Sequence, residues 1–181
     1  MKTTLNLIRA QSPCANGWKK LLKHLGKTEA DDEPLALLTG LESNDLEDAL
    51  WTLRCVPNCD RDARLFAVWC ARQVQHLMTD QRSLDALDVA ERFANGEATD
   101  KELAASWTAS WDAESSAASA SASAAAEESA LASVAVAAHA AASAAAWASA
   151  RAAAWDSARA AQQSMFIQMC NGTAPWQVVG K

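Results

Sequence analysis

With 181 residues, half of them apolar, the chain is long enough for one domain, or for one domain with a helical appendage. Its net charge of −6 argues against generic nucleic-acid binding, which normally shows a basic excess. No run of about 20 strongly apolar residues occurs, and the alanine-rich tract is interrupted by Glu127, Glu128, Arg151, Asp156 and Arg159, so no membrane span is expected.

The opening residues lack the long apolar core and small-residue cleavage site of a secretory signal. Together with an odd cysteine count, this predicts a reducing, cytoplasmic setting rather than a disulfide framework. Eight Trp and no Tyr make indole a main source of burial.

In chain order, Ser12 and Pro13 predict a helix start, a capping hydroxyl followed by a first-turn proline. Trp18, Leu21, Leu22 and Leu25 follow at helical spacing and Gly26 closes the element. Thr28 to Glu33 reads as a polar connector, and Pro34 as the opening of a short helix through Leu38 that Gly40 stops. Asn44 and Glu47 have capping-box spacing ahead of Leu46, Leu50 and Leu53, with a break at Pro57 and Asn58. Asp60 is placed to cap the next helix, whose apolar face is Leu65, Phe66, Trp69, Val74 and Leu77. Ser83 starts a helix carrying Leu84, Leu87, Ala90 and Phe93, which Asn95 and Gly96 end. Thr99 and Glu102 form the clearest capping box. No stretch shows convincing strand alternation, so the expected class is all-α.

The tract opened by Thr99 has neither Gly nor Pro before Gly172, and alanine is its commonest residue. As one helix it would run roughly 105 Å, whereas a compact domain of this length has a radius of gyration of about 16 Å. Either a long rod or an antiparallel hairpin follows, with a turn predicted within 114–128, where serines compete with the backbone for hydrogen bonds. The organisation is then a helical bundle over 1–97, the alanine-rich helix or hairpin over 98–170, and a tail over 171–181.

Chemistry-bearing patterns are sparse. Trp147, Arg151, Trp155 and Arg159 recur every fourth residue on one helical stripe, as a cationic-aromatic platform for a nucleotide or as indoles packing on the domain beneath solvated arginines. Arg64 and Arg82, near helix starts, are candidates for an anion site, and the other central arginines for helix-pair ion bridges. Cys55, Cys59 and Cys70 lack paired zinc knuckles, and Cys70 sits among apolar neighbours as a small core residue. His24, His76 and His139 are scattered, and neither a nucleophile elbow nor a glycine-rich phosphate loop is present. No cofactor, metal or catalytic residue is expected.

Charge is unevenly spread. Residues 1–27 carry six cations and no acid, whereas residues 28–60 carry nine acids against Arg54. Such neighbours either dock on one another or leave a sign-biased face for a partner.

The runs Arg64 to Cys70 (RLFAVWC), Asp80 to Ser83 (DQRS) and Ala90 to Ala98 (AERFANGEA), followed by a long Ala/Trp/Arg helix, resemble an immunity-protein family from bacterial polymorphic-toxin neighbourhoods and bacteriophage genomes. The resemblance covers roughly residues 50–165. Pro13, Cys14, Gly17 and the run Leu46 to Trp51 (LEDALW) are similar to the portion preceding it in phage members. Departures are the Ser-rich stretch from Ser115 to Ser123 and the scarcity of Arg before Arg151.

This resemblance implies a non-enzymatic, all-helical protein that neutralises a toxin or defence effector by binding it inside a bacterial or phage-infected cell. The acidic segment is the expected recognition face, through Asp31, Asp32, Glu33, Glu42, Asp45, Glu47 and Asp48, because carboxylates speed encounter with a basic surface. Two other readings are carried: a sponge for a signalling nucleotide using Arg64, Arg82, Trp147, Arg151 and Trp155, and a structural homo-oligomer built on alanine helices.

Overall fold

The computed structural model describes residues 1–78, 81–112 and 152–178. The turn predicted within 114–128, together with Trp147, Arg151 and His139, lies outside the described residues. The described residues are predominantly helical, and the all-α class holds.

A two-residue strand β1 (Lys2–Thr3) pairs antiparallel with β2 (Leu35–Ala36), in the register Lys2 to Ala36 and Thr3 to Leu35. Strands this short leave no alternation to read, so sequence patterning missed them. Pro34 therefore leads into β2 rather than into a helix, and Gly40 lies inside α3 (Leu38–Ser43) instead of ending it.

Helix α1 (Leu5–Ala10) was not foreseen; Thr4 caps it by accepting the Leu7 N–H, and Leu5 and Ile8 turn inward. The next helix, α2 (Ala15–Leu25), is capped by Cys14 rather than Ser12, and Gly26 closes it in the left-handed region at φ 66°. Helix α4 (Leu46–Thr52) starts from Asp45, whose carboxylate accepts the Asp48 N–H, one residue beyond the expected Asn44. It tightens into a 3₁₀ turn over Leu53–Cys55, and Asn58 adopts φ 58° at the predicted break.

Helix α5 (Asp60–Arg72) has Cys59 at its N-cap with no side-chain capping bond, so Asp60 occupies the first helical position instead of the cap. It ends earlier than the apolar spacing through Leu77 implies, and Gln75–Leu77 forms a 3₁₀ turn. Helix α6 (Gln81–Ala94) encloses Ser83, which is fully buried and does not start the helix. Gly96 closes α6 at φ 76°, as expected. The Thr99–Glu102 capping box forms in both directions ahead of α7 (Asp100–Asp112): Thr99 N–H donates to the Glu102 carboxylate and Glu102 N–H to the Thr99 hydroxyl. Those Thr99 bonds, then the Arg92 guanidinium, hold the Glu102 carboxyl below its ordinary range.

The end of the alanine tract, α8 (Ala152–Asn171), closes at Gly172, and α9 (Pro175–Val178) follows. Both pack on α5, while α6 lies between α5 and α7. The main core joins Leu37, Leu50 and Leu53 to Phe66 and Cys70 of α5 and to Phe166 and Met169 of α8. Phe66 and Phe166 meet edge to face, with centroids 6.2 Å apart. Large residues at the C-terminal end of α8 thus supply the burial that alanine cannot. Residues past Gly172 are also tied in, since Ala174 is buried and Trp176 Nε1–H donates to Asp62 (3.0 Å). The α-amine of Met1 donates to the Cys170 carbonyl at 2.6 Å.

A satellite core of Leu5, Ile8, Leu21 and Cys55 fastens α1 and α2 to the bundle, with Trp18 and Trp51 at its margin. That margin holds a pocket with polar groups on its wall.

Candidate functional site: a tryptophan-lined acidic pocket

A pocket of about 140 Å³ opens between α2 and the α3–α4 corner, lined by Cys14, Gly17, Trp18, Asn44, Asp48 and Trp51 among others. Asn44, immediately before the Asp45 cap, places its amide across the gap between the helices. Its Nδ2 donates to the Gly17 carbonyl (3.0 Å) and to Asp48 Oδ2 (2.6 Å). The Thr52 hydroxyl donates back to the Asp48 carbonyl at 2.7 Å, so the turn carrying the carboxylate is pinned from below.

Glycine at position 17 leaves room for the side chains of Asp48 and Cys14. A Cβ there would lie 2.9 Å from Asp48 Oδ2 and 3.0 Å from Cys14 Sγ. A side chain at position 17 would displace the Asp48 carboxylate from its present place.

The carboxylate is half-buried, and among the described residues no cation pairs with it. Asn44 Oδ1 is shielded from solvent and accepts no hydrogen bond. Trp51 already holds a guanidinium: Arg54 lies over its ring at 4.7 Å and donates from Nε to the Trp51 carbonyl. The pocket therefore combines a negative charge, unsatisfied acceptor capacity and two indoles.

Cys14 Sγ accepts the Gly17 N–H at 3.2 Å and is the one exposed thiol of the five. Burial pushes Cys55 and Cys59 up to about 11 and Cys170 up to about 12, and raises Cys70 further still. Thiolate is the reactive form, so a thiol reagent near pH 8 is expected to modify Cys14 alone in the native protein and all five cysteines after denaturation. Peptide mapping of the labelled protein checks this.

The acidic residues singled out in the sequence divide into distinct environments. Asp31 and Glu33 both bind Lys27, at 2.5 Å each, which raises the Lys27 ammonium above its ordinary range and holds the Asp31 carboxyl below its own. In this connector the basic and acidic stretches do dock on one another. Asp31 thus favours the fold above the ordinary carboxylate range, and this contribution is lost as pH falls through its lowered value. Asp32 is exposed. Glu42, on α3, and Asp45 and Glu47, at the start of α4, are exposed beside the pocket residues in sequence, with Glu47 meeting Arg159 at 3.2 Å. Asp48 is the member that enters the pocket.

Of the arginines and tryptophans of the nucleotide reading, the side chains of Arg64 and Arg82 lie among the described residues. The Arg64 guanidinium lies over Phe93 at 5.2 Å, and Arg82 is exposed on α6 and has an interaction of its own. Trp155 falls within α8, but its side chain, like Trp147 and Arg151, is outside the described residues. The other central arginines bridge helices: Arg72 to Asp88 and Glu91, and Arg92 to Glu102.

A wider groove of about 740 Å³ runs past Arg61, Trp69, Arg72, Asn95 and Trp176. Its guanidinium groups are already engaged, Arg61 by Asn95 and the Trp176 carbonyl, and Arg72 by its two carboxylates. An anionic ligand there would have to displace those partners.

Sequence reasoning missed Gly17, Trp18, Asn44 and Trp51 as site residues, and read Asn44 as a cap. A glycine in the first turn of a helix, three residues after an unusual Cys cap, is the one local signal that α2 is approached closely there.

Compared with family models, curated proteins and solved structures, the chain matches none. Among the described residues no helix is long and apolar enough to cross a membrane.

Proposed function

We propose that this is a non-enzymatic binding protein, acting as an immunity or counter-defence factor that occludes a basic protein toxin or defence effector. One observation carries the reading: exposed acids Glu42, Asp45 and Glu47 occur on the same α3–α4 corner as a pocket whose carboxylate has no cation beside it among the described residues. Such a surface steers a positively charged partner and then holds it at one anchored point.

Asp31 and Glu33 are less suited to the recognition role, because reversing their charge also breaks the Lys27 pairs that order the connector. The discriminating variant is therefore Glu42→Gln and Asp45→Asn together, in which Asn still caps α4 and the Glu47–Arg159 pair is kept. A partner recovered from host lysate by the wild-type chain is expected to associate with this variant about tenfold or more slowly at low salt, with little rate difference at high salt. Equal association rates at low salt would overturn the acidic-face assignment.

The nucleotide-sponge reading gains no support from a small pocket: 140 Å³ lies below the roughly 300 Å³ at which sites for drug-sized ligands begin. Calorimetry against a nucleotide panel tests it, and submicromolar binding of any member would favour it over the immunity reading. A homo-oligomer built on alanine helices is tested by sedimentation mass.

A further inference from the structure

The pocket has the size and polarity for one functional group of a guest. It accepts rather than donates: among the described residues Asp48 Oδ1 receives no hydrogen bond, and the Asn44 amide hydrogens are already directed to Gly17 and Asp48. A guest that satisfies the Asp48 carboxylate must bring donors and positive charge. It must also be flat enough to lie against indole.

Guanidinium meets all three requirements, with five donors in a plane, permanent charge and affinity for aromatic faces. An ammonium group is compact and strongly hydrated, and matches the indole walls less well. The Arg54 contact shows that Trp51 accepts a guanidinium, and Arg54 itself is exposed and is not part of the pocket lining.

We infer that the pocket between α2 and α4 is a receptor for an arginine side chain presented by the protein partner, held by Asp48 against the indoles of Trp18 and Trp51. This rests on the binding-protein reading and deepens it by naming the group the partner inserts. Gly17 is the positioning residue, since its missing Cβ leaves room for the Asp48 carboxylate.

The test needs no partner. N-acetyl-arginine amide is titrated into the full chain while the indole N–H signals of Trp18 and Trp51 are followed by NMR, assigned through Trp18→Phe and Trp51→Phe. Both signals are expected to shift saturably with the arginine probe and not with the citrulline analogue, which is neutral and nearly isosteric. Asp48→Asn, which can still accept from Asn44, is expected to weaken binding by about tenfold or more. Gly17→Ala is expected to do the same while keeping or raising the melting temperature, because alanine is the better helix former.

Equal shifts with citrulline, equal shifts with the lysine analogue, or unchanged affinity in Asp48→Asn would each overturn the assignment. So would the absence of any shift. Saturable binding of free arginine that a short arginine-containing peptide cannot reproduce would make the site one for a small metabolite and would overturn the protein-partner assignment. Because the double neutralisation of Glu42 and Asp45 reads partner capture and this titration reads the pocket alone, either can fail without the other.

Discussion

Replacing Phe166 by alanine is expected to lower stability by about 3–5 kcal/mol, a large share of the 5–15 kcal/mol typical of a whole domain. Phe166 has no exposed surface and sits where α8 meets α5, in edge-to-face contact with Phe66. Its large neighbours, Met165 and Met169 on α8 and Phe66 on α5, are themselves buried in the same core. Equilibrium urea unfolding reads the effect as a fall in midpoint at unchanged slope. The Phe66→Ala, Phe166→Ala double variant should lose less than the sum of the two singles, because each ring is part of the other's environment. A loss below about 1 kcal/mol for Phe166→Ala would mean that the alanine tract does not depend on its C-terminal end for attachment.

Thr3→Val is the second large effect, and it removes a hydrogen bond instead of volume. The Thr3 hydroxyl is buried and donates to the Cys55 carbonyl at 2.5 Å, linking β1 to the end of the 3₁₀ turn after α4 across 52 positions of sequence. Valine has nearly the same shape and favours a strand, so neither packing nor propensity changes much. What changes is that a shielded carbonyl is left without its donor, at a cost of about 1–3 kcal/mol. The same urea titration measures it, and Thr3→Ser, which keeps the hydroxyl, should recover most of the loss. If Thr3→Val proves neutral, the Cys55 carbonyl has another donor and the contact is not what holds β1 in place.

How much was legible beforehand varied with the range of the interaction. Gly96, Gly172 and the Thr99–Glu102 box were readable because a cap is decided by atoms three or four residues apart. Caps that failed did so by one or two positions. Cys14 displaced Ser12 and Asp45 displaced Asn44 once tertiary contacts fixed where each helix could begin. Asn44 is informative here: its side chain is directed to the Gly17 carbonyl, 27 residues away, and so is not available to cap its own helix.

The candidate site was legible only in its charge. An acidic segment with Asp48 in it could be picked out from composition, but nothing local distinguishes Asp48 from Glu47. The two are neighbours on a helix, where successive side chains point about 100° apart, so one faces the pocket and the other reaches Arg159 of α8.

The sequence by itself determined that the chain is helical, because helix signals are written in spacings of three and four residues and in single capping atoms. Only the tertiary structure decided which acid faces a pocket, which indoles line it and which side chains lie against position 17. Those depend on helices far apart in the chain approaching to within a hydrogen bond, and such distances are set by the packing of the whole core.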